Sequence, residues 1–402
     1  MKRKILLSAS LMHALTDAVS VIPPTIFPVL YNRGFLITRY SQIGLLSNVG
    51  LFTTLIVQFF VVRLSFGHEY RTLMALSGIG MCLIMALIPL SPSFGALIFV
   101  FVLIRAASSI YHPIGIAWVS KSRSGSGRDL DLAMGIQSGS GNAGVMLAYL
   151  TAGFMAQRFG WKAPLFVWAA FGLVLTGATW TALRGVSTRG ERRPPLGAAS
   201  WARSLVSVRR FVPGFFFGGM GWSVTIYYAP SLLNHKFGIP IGRTGLFLAL
   251  WIGLGTVTGY GYGVWSRRFG RKAVFLTSLG GGAACLFLLG FAADKTLAVA
   301  ALLAFGGFFL MTYPSLHTFV GSTVPPAGQT QAFSWVSNIQ LISGAVVSLA
   351  SGFLSDALGI HVPFLLAGIL TLGVFLFYIP RGPEFFGGNE TGTDAVPVLE
   401  PE

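Results

Sequence analysis

Twelve apolar runs, each about as long as a bilayer is thick, constrain this chain more than any other feature. They lie near 5–30, 42–64, 72–91, 94–118, 132–156, 163–183, 211–233, 244–266, 273–292, 296–318, 332–355 and 362–380. A helix needs roughly 20 apolar residues to cross a hydrocarbon core of about 30 Å. Lipid satisfies no open sheet edge, so such spans are helices. Of the 402 residues 53% are hydrophobic and 10% charged, against about 25% charged in soluble domains. The opening MKRKILLSASLMHAL begins like a signal peptide, but its apolar run continues to Leu30, which fits a retained first helix.

The net charge of +16 raises the question of a nucleic-acid partner, and the positions of the charges exclude it. With the N-terminus placed in the cytoplasm, 20 of the 28 Lys and Arg fall in inside segments, seven in outside segments, and Arg105 within a span. This is the positive-inside bias, so the expectation is a multi-pass protein of the cytoplasmic membrane with both termini cytoplasmic. Cys82 and Cys285 each sit inside an apolar run and read as core residues, with neither disulfide nor metal expected. SLGGGAACL (278–286) lacks the Lys-Ser/Thr of a nucleotide cradle, and no cofactor is expected.

The chain repeats itself. GFMAQRFGWKAP (153–164) parallels GFLSDALGIHVP (352–363), PVLYNRGF (28–35) parallels PSLLNHKF (230–237), and SSIYHPIG (108–115) is echoed by LMTYPSLH (310–317). The expected architecture is therefore an all-α membrane protein of twelve transmembrane helices in two pseudo-symmetric six-helix bundles. The bundles are placed at 1–183 and 211–381, joined by the basic linker 184–210 and followed by a disordered cytoplasmic tail at 382–402.

Few ionisable groups lie within spans: His13, Asp17, Arg105, His112 and His317. Each costs about 2.5–3.5 kcal/mol at mid-bilayer unless partnered or hydrated. At 1.5 Å per residue, Asp17 and Arg105 both come to lie roughly 16–18 Å into the membrane, an equal depth that invites pairing. His13 and Asp17, four apart, share a helix face. Asp17, His13 and Arg105 are the expected proton-coupling set, with a static Asp17–Arg105 ion pair or an anion site on Arg105 as alternatives. A metal held by His13, Asp17, His112 and His317 is conceivable, though no spacing demands it. Arg105, Tyr111, His112, Asn142, Tyr227, Tyr228, Tyr313, His317, Asn338 and Gln340 supply the polar lining expected of a substrate cavity.

GVWSRRFGRK (263–272) resembles the G-x-x-x-D-R-x-G-R-R/K loop of the major facilitator superfamily, carrying Gly263, Arg268, Gly270, Arg271 and Lys272 with Arg267 at the Asp position. The first-half counterpart, RLSFGHEYRT, keeps Arg71. The fifth span, GIQSGSGNAGVMLAYLTAG (135–153), resembles that family's antiporter pattern and keeps Gly135, Gly144 and Gly153, small residues that permit close helix packing. Residues 12–30, 93–113 and 140–153 are similar to the fosmidomycin-resistance type of efflux protein. The resemblance implies a central cavity lined by the first and fourth helices. It also implies a monomeric secondary transporter working by alternating access, exporting a small molecule against protons, and not an enzyme. Uptake of an anionic metabolite, movement of a metal or metal chelate, and a non-transporting sensor or scaffold are the alternatives.

Overall fold

A computed structural model of the chain describes residues 2–64, 67–123, 127–189, 198–324 and 326–386. These form fourteen α-helices: α1 (Lys2–Asn32), α2 (Tyr40–Leu64), α3 (Tyr70–Met85), α4 (Phe94–Ser108), α5 (Tyr111–Arg123), α6 (Gly127–Phe159), α7 (Ala163–Ala182), α8 (Ala198–Val208), α9 (Val212–Ser231), α10 (Ile241–Phe269), α11 (Arg271–Phe291), α12 (Lys295–Thr323), α13 (Pro326–Leu358) and α14 (Val362–Tyr378). With α4 and α5 counted as one broken span and α8 as the helix between bundles, they make twelve membrane spans in two sets of six. Nine of the segments are long and apolar enough to cross a membrane by length and composition alone. The glycine-rich α9 is not among them, its Gly, Pro, Ser and Tyr lowering its hydropathy, and it is packed inside protein along nearly its whole length.

The fourth span is not the continuous helix expected at 94–118. Ser108 and Ser109 turn their hydroxyls onto the Arg105 carbonyl at 3.1 and 2.5 Å, and Pro113 has no N–H for the Ser109 carbonyl. Side-chain competition and a missing donor together end α4 and restart the chain as α5. Arg105 therefore sits in the last turn of one helix and His112 in the first turn of the next.

The repeat reappears as matching geometry. Gly160 and Gly359, at equivalent repeat positions, both take positive φ (+88° and +105°) where α6 and α13 end. Pro164 and Pro363 then start α7 and α14. Asn32 and Asn234, also equivalent, hydrogen-bond to each other at 2.9 Å. Across the interface α2 packs on α13 and α6 on α10.

The linker 184–210 is described except for 190–197. Its start lies against α3, with the Tyr70 N–H donating to Thr188 O at 2.9 Å, and α8 occupies much of the rest. The tail expected to be disordered at 382–402 is folded where it begins. Pro383–Phe386 forms a 3-10 turn, and Phe386 is fully buried against Phe275, Phe319 and Tyr378, because an aromatic ring gains more from the bundle than from water. Residues 387–402 lie outside the described residues.

Two crossed caps close the end of the interface away from the termini. Asp356, near the end of α13, accepts from the N–H groups of Tyr40 (2.6 Å) and Ser41 (3.2 Å) at the start of α2. Gln157, at the equivalent place in α6, accepts from the Gly242 N–H at the start of α10 (2.9 Å). First-turn N–H groups lack helical partners and carry the positive end of the helix dipole, so the charged cap is the stronger. Removing it with Asp356→Ala weakens this closure by about 1–2 kcal/mol, a shift of roughly 5- to 30-fold in favour of the open form. The check is the labelling rate of a cysteine placed at the buried Ser47, using a membrane-impermeant maleimide added on the side of the caps. Gln157→Ala should accelerate labelling less, and an unchanged rate for Asp356→Ala would refute the assignment.

Candidate functional site

Between the halves lies a cavity of about 590 Å³ lined by α1, α2, α4, α5, α6, α9, α10, α12 and α13. On α2 and α10 its lining runs from Leu51 to Gln58 and from Gly255 to Tyr260, beyond the capped helix starts and toward the end that carries the termini. Of the residues expected there, Arg105, His112, Asn142, Tyr227, Tyr313, His317 and Gln340 line it, and so does Asp17 of the expected proton-coupling set.

Asp17 is held from two sides. Its Oδ2 lies 3.2 Å from His13 Nε2 and its Oδ1 3.3 Å from His112 Nε2. His13 is fixed behind it, its Nδ1 2.7 Å from the Gln137 carbonyl, its ring stacked on Tyr111 at 5.4 Å and edge-on to His112 at 5.2 Å. A carbonyl only accepts, so Nδ1 carries a proton. Two lone pairs cannot face each other across 3.2 Å, so a second proton lies between Nε2 and the carboxylate, on one atom or the other. Asp17 and His112 are partly accessible to the cavity, while His13 is nearly enclosed.

The triad depends on α6 approaching α1 closely. A Cβ on Gly144 would collide with the backbone of Ala14, and one on Gly141 would collide with Asp17 Oδ2 and stand 2.9 Å from His13 Nε2. Gly141 and Gln137 were not foreseen. A G-x-x-G spacing ending at Gly144 was the available signal, without indication of which helix it would meet. Of the other packing glycines, Gly153 lies against the backbone of α10, but Gly135 has nothing within 4 Å of its Cβ position and faces the cavity instead.

The expected Asp17–Arg105 pair does not form. Both Asp17 oxygens face histidines, and the Arg105 stem lies along Gly50 of α2, whose Cβ position is 3.1 Å from Arg105 Cγ. Depth along the membrane, the basis of that expectation, does not fix which way a side chain turns. Likewise only three of the four residues of the conceivable metal set converge. His13, Asp17 and His112 present ligand atoms within 4.8 Å of one another, a set of imidazoles and carboxylate able to hold a divalent metal. His317 lines the cavity apart from them, edge-on to Phe333.

Three expected cavity residues face elsewhere. Tyr111 is buried and donates to Ala9 O at 2.5 Å, Tyr228 is buried and donates to Ser348 O at 2.5 Å, and Asn338 is buried outside the lining. Successive helical residues point about 100° apart, so His112, Tyr227 and Ser337 take the cavity side and their neighbours do not. In the α10–α11 turn, Gly270 adopts φ +81° and the Arg268 guanidinium lies 5.3 Å from the Phe269 ring.

The glycines offer a paired test. Alanine is the better helix former by about 1 kcal/mol, so Gly135→Ala should leave thermal stability unchanged or raise it. Gly141→Ala should lower it by about 1–3 kcal/mol, because its methyl displaces the Asp17 carboxylate. Thermal unfolding in detergent separates the two, and equal stability of both variants would show that α6 does not press on the triad.

The sequence profile of the Major Facilitator Superfamily matches residues 6–262 and 211–398. No curated protein matches the chain. Among solved structures, the chain is similar to a D-xylose–proton symporter (15% identity, 96% of this chain and 99% of that one, TM-score 0.78). It is also similar to a mutant of the nucleoside transporter NupG (12%, 94% and 99%, TM-score 0.77). A third likeness is to a bacterial homologue of the human lysosomal transporter Spinster (14%, 96% and 96%, TM-score 0.73). At these identities the structures speak for the fold, and the profile speaks for the family. The chain belongs to the Major Facilitator Superfamily and is a multi-pass membrane transporter, not an enzyme.

Proposed function

We propose that this transporter is a monomeric secondary carrier of the cytoplasmic membrane, with cytoplasmic termini, that exports a small molecule in exchange for protons. The observation that carries the reading is the Asp17–His13–His112 triad, which holds a shared proton in the wall of the cavity. Among the described residues Asp17 is the only carboxylate in that wall. The outward direction rests on the likeness of residues 12–30, 93–113 and 140–153 to efflux proteins, and the membrane sidedness on the positive-inside bias.

In the cycle we envisage, the halves 1–183 and 211–381 rock about the cavity, with the linker 184–210 as tether. With the termini taken as cytoplasmic, the cavity faces the cytoplasm in this shape. Asp17 gives up its proton there through the accessible His112, cargo binds, and the halves turn. On the outer side the triad is reprotonated as cargo leaves, with His13 handing the proton inward to a carboxylate it touches. Gly263, Arg268, Gly270, Arg271 and Lys272 would steady one of the two shapes from the α10–α11 turn, with Arg267 weakening that latch relative to the family pattern.

Reconstitution in liposomes with an imposed pH gradient tests the reading, using a panel of small organic acids and bases and a trapped pH dye. Wild type should dissipate the gradient only when a transported compound is present. Asp17→Asn should bring gradient-driven flux to background while cargo exchange at equal pH persists, and His13→Gln should slow it without abolishing it. Flux that ignores pH and Asp17→Asn would sink the proton assignment, and absence of flux for every compound would sink transport itself.

A further inference from the structure

Among the described residues, two of the cavity wall hold donors that nothing accepts from. Arg105 Nε is buried without a hydrogen-bond partner, and so is Gln340 Nε2. Both residues line the cavity. They belong to opposite halves, α4 and α13, yet flank a single contact. The Arg105 stem lies along Gly50, and the adjacent Leu51 meets Gly344, one turn beyond Gln340, whose Cβ position is 3.2 Å from Leu51 Cδ1.

A guanidinium is costly to keep from water unless its N–H groups find acceptors. Among the described residues no carboxylate pairs with Arg105, and the one in the wall turns both its oxygens to His13 and His112. The wall thus holds one carboxylate, already engaged, and two buried donors without a partner, with His317 adding a further polar ring on the α12 side. What such a wall lacks is an anion with several acceptor oxygens, and a planar guanidinium grips that shape with two parallel hydrogen bonds.

We propose, resting on the transport reading above, that the cargo carries an oxyanion (a carboxylate, phosphate or phosphonate) seated on Arg105 and hydrogen-bonded by Gln340 from the other half. The cavity volume of about 590 Å³ falls in the range of small-molecule sites, about 300–1,000 Å³. Trp222 in the same wall suits a flat apolar body attached to the acid. Because the oxyanion touches both halves at once, its binding favours shapes in which the halves stay close, which lets cargo bias the rocking equilibrium.

The test measures binding to the purified full chain by quenching of its tryptophan fluorescence. The probes are benzoate, phenylphosphonate and phenyl phosphate, each beside its uncharged, fully methylated ester (the dimethyl ester for the two phosphorus acids). At least one acid should bind more tightly than its ester, by about tenfold or more. Arg105→Gln should weaken that acid by about 10- to 100-fold and leave the ester unchanged. Arg105→Lys should recover part of the loss, and Gln340→Leu should weaken the acid by a smaller factor. Equal affinity of acids and esters, an Arg105→Gln variant as tight as wild type, or no acid bound at about 10 mM would each overturn the proposal. The acid–ester comparison uses wild type alone, so a poorly folded variant cannot obscure it. The two readings also fail separately: gradient-driven flux of a neutral compound, indifferent to Arg105→Gln, removes the oxyanion and leaves proton-coupled transport standing. Acid binding that depends on Arg105 without any flux supports the site and removes transport.

Discussion

A carboxylate within the membrane must have its charge answered by protein or water, and the part of this structure nearer the termini is arranged around how Asp17 meets that condition. Two imidazoles face its two oxygens. To bring them there, α4 must stop and α5 restart, so that His112 enters from a first helical turn. α6 must also come close enough to α1 for its Gln137 carbonyl to fix the His13 ring, and that distance is open only to glycine at Gly141 and Gly144. Once both oxygens are occupied, Arg105 is left without an anion of its own. The partnering of one acid and the unmatched charge of the neighbouring base are the same fact seen from two side chains.

The crossed caps at the other end obey a different constraint. The first N–H groups of α2 and α10 have no intrahelical acceptors, and each is satisfied by a side chain from the opposite half. The two caps are therefore bonds that the helices need in any case, replaceable by water when the halves part. Bonds of this kind, made by exposed side chains, can be exchanged for water at small cost, which suits a carrier whose halves move against each other.

Much of this was legible in the chain. Span length revealed the helices, and the 153–164 and 352–363 repeats revealed the two-fold plan, down to the Gly turn and Pro start that both copies use. His13 and Asp17 were legible because four residues make neighbours on one helix. His112 as the second partner was not, since a contact between helices depends on how each is rotated, and depth along the membrane gives one coordinate of three. The same gap produced the false Asp17–Arg105 pair. Adjacent residues such as Tyr111 and His112, or Tyr227 and Tyr228, could not all face one cavity, which helical geometry alone decides once one of them is placed. With 51 glycines in the chain, nothing local marks Gly141 as the one pressed by a carboxylate.

The two halves use one packing device with opposite chemistry. Asp17 of α1 lies over Gly141 of α6, and Gln340 of α13 lies over Gly218 of α9, where a Cβ would stand 2.9 Å from its Nε2. At the sealed end the roles reverse: the second half supplies the acid, Asp356, and the first supplies the amide, Gln157. Each half thus gives the interface one carboxylate and one amide at different depths. The partners decide what each carboxylate can do. Asp356 meets backbone N–H groups, which donate but cannot surrender a proton, so its contact is made or broken only by movement of α2 against α13. Asp17 meets imidazoles, which exchange protons with it at fixed geometry. The acid at the capped end is accordingly suited to latch a shape and Asp17 to exchange a proton, although both are carboxylates facing the space between the halves.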